Sequence, residues 1–197
     1  MKLYLFFFAV LLSFVSVNAQ AQAAPPSCEI QVLAIEAALG DADAQYNLAV
    51  AFHQGEKVPQ DLAKSAALWK MAAKAGVVSA YNNLGHLTYY GRGIKQNYAE
   101  GIRLWRVAAT KGHSESLVHL AFAYADAKFL KIDYVEAYAW AVAGKQAALQ
   151  DTEPDMQQAI SKMADEILAE IEPKLTSTTL PLAKRRATLY ISRYVRK

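Results

Sequence analysis

One nine-residue stretch of this chain is written twice, and that repetition limits its fold more than any other feature. "LWKMAAKAG" at residues 68–76 returns as "LWRVAATKG" at 104–112, with Leu, Trp, both alanines and the closing Gly in register. At the same offset of 36 residues, Ala44 meets Ala80, Asn47 meets Asn83, Leu48 meets Leu84 and Ala63 meets Ala99. Gly55 falls on Gly91 and Gln60 on Gln96. A looser third copy sets Leu120 on Leu84, Asp133 on Asn97, Tyr134 on Tyr98, Glu136 on Glu100 and Trp140 on Leu104. A fixed period of this length predicts stacked like units, because a unit this small cannot bury its own apolar face.

Each unit reads as two helices. In the second copy, "SAYNNLGHLTYY" places Ala80, Leu84 and Leu87 at helical spacing. "GRG" at 91–93 ends that helix, since glycine accepts the left-handed backbone of a C-cap. Asn97 then caps a second helix with Glu100 three residues on, a capping-box-like pattern that "DYVE" at 133–136 repeats. Abundant alanine, only 9 glycines and 20% charged residues agree with a packed helical chain. The alanine pairs and Gly85 allow close helix approach, with Leu and Trp filling the space between layers. The repeats are placed at about 41–76, 77–112 and 113–148. "SCEIQVLAIEAALG" (27–40) reads as a lone second helix covering the first repeat. Segments 153–172 and 180–196 read as closing helices, the first of them capped by Asp151 or Thr152.

The pattern A-x-x-x-L-G/A, then Gly, then V/I-x-Q-D/N-x-A, then L-W-x-x-A-A-x-x-G resembles the Sel1-like repeat, a relative of the tetratricopeptide repeat. The resemblance covers about residues 40–148. It implies an all-α, right-handed α/α solenoid of about three helix pairs with capping helices. Copy three departs from the pattern: "DAKFLKI" stands where the loop glycine would be, and Gly144-Lys145 replaces the alanine pair. Cysteine-rich members of the family staple each repeat with a disulfide. This chain has one cysteine, Cys28, so its stability comes from packing.

The N-terminus reads as a signal peptide: Lys2, an apolar run from Leu3 to Val17, then small residues at Ala19, Ala21 and Ala23. Cleavage after Ala19 leaves 20–27 as a short linker and 28–197 as the solenoid, in the periplasm or secreted. The run is shorter than a bilayer-spanning helix needs. Cys28 reads as a small packing residue at the start of the first helix, with pairing to another chain as the alternative.

Chemistry is sparse. No G-x-S-x-G, H-E-x-x-H, phosphate loop or dinucleotide fingerprint occurs. His113 and His119 are six apart and do not share a helical face, so they read as a helix cap and a surface residue, with no metal or cofactor expected. What packing leaves over is a stripe on each first helix. In copy two it is Asn82, His86, Tyr89 and Tyr90. In copy one it is Tyr46, Val50, His53 and Gln54, and in copy three Val118, Phe122, Ala125 and Asp126. The tetratricopeptide-like resemblance implies that first helices line the concave side, which would join these stripes into one groove. Tyr46, Asn82, His86, Tyr89, Tyr90 and Phe122 are the expected partner contacts.

Charge is segregated. Seven basic residues and no acid lie between Lys174 and Lys197, so the net +3 combines this +7 tail, Lys2 and a body of −5. Lys184, Arg185, Arg186 and Arg193 are the tail's candidate contacts, with an anionic membrane or an acidic protein as partner. An exported chain with an acidic body is not expected to bind nucleic acid. The leading expectation is a non-enzymatic scaffold or adaptor that captures a protein partner in its groove. A structural part in an envelope machine, such as a flagellar motor's periplasmic ring, is the alternative. A β-lactam-binding or hydrolysing protein is a minor one, since no nucleophile with a base is visible.

Overall fold

The computed structural model describes residues 27–195. The signal-peptide and cleavage expectations, most of the 20–27 linker, and Arg196 and Lys197 lie outside the described residues. Nine α-helices and no strand are found among the described residues: α1 (Cys28–Ala38), α2 (Ala42–Gln54), α3 (Leu62–Lys74), α4 (Val78–Tyr90), α5 (Tyr98–Thr110), α6 (Ser114–Ala125), α7 (Tyr134–Ala148), α8 (Pro154–Ile171) and α9 (Thr179–Tyr194). A 3₁₀ turn at Glu172–Lys174 joins the last two. The pairs α2/α3, α4/α5 and α6/α7 are the repeats, and each packs on its neighbour in an α/α solenoid.

The period written in the sequence returns in the hydrogen bonds. Asp61, Asn97 and Asp133 each cap the second helix of a pair, accepting from Lys64 N, Glu100 N and Glu136 N at 2.9, 3.0 and 3.0 Å. Their own amides donate to Phe52 O, Thr88 O and Tyr124 O, carbonyls of the preceding helix, at 2.9, 2.8 and 3.0 Å. Those carbonyls satisfy the cap amides, so the reciprocal half of a capping box does not form. Glu100 pairs with Arg103 instead, and Glu136 with Arg186 and Tyr190. The loops of copies one and two match as well. Gly55 and Gly91 take left-handed φ of 76° and 69°, and Gln60 and Gln96 donate to His53 O and Tyr89 O. In copy three, Asp126 ends α6 with extended backbone, so no glycine is needed there.

The indoles form the layers between helices. Trp69 and Trp105 are 2% and 0% exposed. Each such side chain removes about 150–250 Å² from water, worth roughly 4–6 kcal/mol. Trp105 lies flush with Gly85, where an added Cβ would meet the indole at 2.7 Å. Trp140 stands one position earlier in its repeat than Trp69 and Trp105, in the place of Leu68 and Leu104. One residue is a turn of about 100° around a helix. Trp140 is thereby carried against α9, with its ring 4.3 Å from that of Tyr190 and 5.2 Å from that of Tyr194.

The two closing helices do different things. α9 packs on α7, burying Ala183 and Ala187. α8 touches both α6 and α7, where Ile160 and Ala164 cluster with Val118 and Ala148. Its N-cap is Glu153, with Pro154 at the first turn and no side-chain cap bond. Asp151 does not cap it, because that carboxylate accepts from the Ser114 hydroxyl at 2.7 Å.

Candidate functional site: the concave cleft

The first helices α2 and α4, the N-terminal turn of α6 and the beginning of α8 enclose a cleft of about 610 Å³. Copy one contributes Tyr46, Val50, His53 and Gln54, the whole stripe expected of it, over the buried Trp69 ring. Copy two contributes Ser79, Asn82, Asn83 and His86. His113, Ser114 and Glu115 open α6, and Met156 and Ile160 of α8 form the far wall.

α8 is why the groove does not run through all three repeats. The stripe position of Tyr46 and Asn82 is Val118 in copy three, and Val118 is fully buried beneath Ile160 and Ala164. Phe122 and Tyr90 lie on the other flank of α8, around a second hollow of about 400 Å³ with His119, Met163 and Glu166. His86 borders both hollows. The expected single groove is therefore two spaces separated by a helix.

Two expected contacts and one expected surface residue need correction. Tyr89 is 0% exposed, its ring 4.8 Å from those of Tyr98 and Trp105. It is a core residue, and burial pushes its hydroxyl pKa up to about 12. Asn82 is 2% exposed and committed to the protein. Its amide donates to Glu115 Oε2 and accepts from the Ser116 hydroxyl, both at 2.8 Å, and its carbonyl accepts from Trp105 Nε1 at 3.2 Å. It forms the floor beneath a ligand, not a free contact. His119, expected on the surface, is 8% exposed and stacks on Trp105 at 4.7 Å. Tyr46 and His86 remain half-buried at the cleft, and Tyr90 is 38% exposed.

Neutral imidazoles and one half-buried carboxylate set the electrostatics. Burial, with His119 and Arg92 adding to it, lowers the His86 pKa to about 4. Burial also lowers those of His53 and His113. Burial would raise that of Glu115, but the His119 and His113 rings and the Asn82 amide outweigh it, so the carboxylate stays below its usual range. His119 Nε2 stands 3.4 Å from Glu115 Oε1 without completing a hydrogen bond. Sequence reasoning passed over Glu115, Asn83 and Ser116, although Glu115 stands 36 residues after Ser79 and shares its first-turn position.

His113 Nδ1 lies 3.2 Å from the Ser116 hydroxyl, a nucleophile–base distance. Ser116 is 0% exposed, however, and its hydroxyl donates to Asn82. His113 also caps α6 by accepting from Ser116 N. This pair is a structural latch. Among the described residues no cluster of three or more His, Cys, Asp or Glu side chains is placed to hold a metal.

The basic tail also divides. Arg186 is half-buried and bonded to Glu136 at 2.6 Å, so it belongs to the α7–α9 interface and is not free for a partner. Lys184, Arg185 and Arg193 are exposed.

The Sel1 repeat family model matches residues 42–77, 78–113 and 114–142, just over half of the chain. Sel1 repeat proteins generally mediate protein–protein interaction and are typically non-catalytic scaffolds. No curated protein matches the sequence significantly. Among solved structures, the chain is similar to c5321, a protective antigen present in uropathogenic Escherichia coli strains and displaying an SLR fold. The TM-score is 0.59 and the identity 24%, over 84% of this chain and 41% of that one. It is also similar to a Sel1 repeat protein from Oxalobacter formigenes, with TM-score 0.56 and 22% identity, over 70% of this chain and 63% of the other. This chain thus spans less than two thirds of either neighbour, and at these identities the likeness is one of fold. With three consecutive units matched in sequence and the same solenoid built from them, the chain belongs to the Sel1 repeat family.

Proposed function

We propose that this chain is an exported, non-enzymatic adaptor that holds a segment of a protein partner in the cleft between α2, α4 and α8. One observation carries the reading. The cleft has an accessible rim of Tyr46 and His86 over a floor already fixed by hydrogen bonds, Asn82 to Glu115 and Ser116, and Asn83 to the Tyr46 hydroxyl at 3.3 Å. A floor ordered in advance loses little entropy when a ligand arrives. Tyrosine and histidine at the rim offer broad contact area with few rotors. The basic, apolar N-terminal run with its small-residue cleavage pattern supports export and a periplasmic setting for the partner.

The test is capture of the partner from an envelope extract of the producing organism by wild type and by Tyr46→Ala/His86→Ala. Loss of a specific partner by at least tenfold, with thermal unfolding within a few degrees of wild type, is the expected result. Capture undiminished in a folded double variant would remove the cleft from the reading.

A further inference from the structure

α9 buries one side and leaves the other with a composition of its own. Ala183 and Ala187 are buried, and Tyr190 and Tyr194 stack on Trp140. The opposite side carries Leu182, Arg185, Leu189 and Arg193, one stripe at helical spacing, while Lys184 projects about 100° further round the helix from Arg185. Leu182 and Leu189 are 54% and 57% exposed. Lys184, Arg185 and Arg193 have no carboxylate partner among the described residues, and Arg193 lies over the Tyr194 ring. The acids facing α9 from α7 are already committed. Asp133 caps α7, and Glu136 holds Arg186 and the Tyr190 hydroxyl. No Asp or Glu follows Lys174, and Arg196 and Lys197 extend the charge in sequence.

We propose that this face docks flat on an anionic lipid surface, with Leu182 and Leu189 entering the acyl boundary and Arg185 and Arg193 meeting lipid phosphates. Leucines alternating with unpaired cations suit a bilayer interface, which supplies apolar depth and mobile negative charge together. An acidic protein would satisfy the cations and gain little from two protruding leucines. The depression beside the stripe, bounded by Asp133, Val135, Leu182, Arg185, Arg186 and Leu189, is open to solvent. No described helix is long and apolar enough to cross a membrane, so this contact lies in the plane of the surface. α9 sits against α7 and α5, the second helices, so docking leaves the cleft of the first helices open to its partner.

The experiment is co-sedimentation of the chain, as its producing cell processes it, with vesicles of equimolar phosphatidylglycerol and phosphatidylcholine or of phosphatidylcholine alone. Wild type is expected to partition onto the anionic vesicles and to be released by salt. Reversing the charges with R185E/R193E should lower partitioning by about thirtyfold. Leu182→Gln with Leu189→Gln should lower it by about tenfold with every charge intact. All these positions are exposed, and matching circular dichroism melts would establish that the variants fold. Equal binding to both vesicle types, indifference to either set of substitutions, or binding to polyglutamate in place of vesicles would each overturn the proposal.

Discussion

Cutting Tyr89 back to alanine would empty a space bounded by Tyr90, Tyr98 and Trp105, three rings within 5.0 Å of its own. The expected cost is about 3–5 kcal/mol, read as a lower denaturant midpoint. Tyr90→Ala, at a 38% exposed position, should cost about 1 kcal/mol or less. Similar losses for both would mean that the Tyr89 ring is not the buried one. The two tyrosines are neighbours on one helix, and nothing in the α4 pattern separates them. The signal lay on α5, at Gly101, where an added Cβ would meet Tyr89 Cβ at 2.7 Å. Copy one has Ser65 at that place and the smaller His53 facing it. A ring is admitted where the facing side chain is removed, and that reciprocity shows only when both helices of a pair are compared.

Helix pairs, caps and the loops of the first two repeats were legible because local chemistry decides them: an Asp or Asn oxygen over the first turn, a glycine where φ is positive. The course of α8 was not. Its apolar face, with Ile160, Ala164 and Ile167, fits many docking sites, and it meets the concave side where copy three presents the apolar Val118 in the place of Tyr46 and Asn82. This is why Phe122 and Tyr46, one stripe in sequence, end in different hollows. Ile160 is 2% exposed there, so Ile160→Asp would bury an unpaired charge. The expected outcome is local. Hydrogen exchange should lose protection across α8 while α2 to α5 keep theirs, since solenoid elements touch only their neighbours. Loss of protection along the whole chain would show that α8 is part of one cooperative unit with the repeats.

At the scale of the molecule, the cleft brings together histidines from α2, α4 and the N-cap of α6 whose pKa values move the same way. The folded pKa of His86, about 4, lies below its unfolded value of 6.5, and His53 and His113 are lowered as well. The native state therefore binds fewer protons than the unfolded chain in mild acid. Stability is fully present above about pH 6.5 and falls as pH drops from there toward 4. Glu115, also lowered, extends the loss below its ordinary value of 4.5. Denaturant midpoints measured from neutral to mildly acidic pH should fall in wild type and fall less in His86→Gln. A flat wild-type profile would contradict the burial of these rings. The nearest-neighbour construction has a further consequence, for how such a chain can change over generations. Each cap amide bonds to the helix just before it, so one more 36-residue unit copied in ahead of α2 would bring its own donors and acceptors. It would disturb only the seam with α1. The trough would lengthen solely at the end away from α8, leaving the blocked end as it is. Reach can then be altered by duplication alone, while α9 and the wall of the trough are inherited intact.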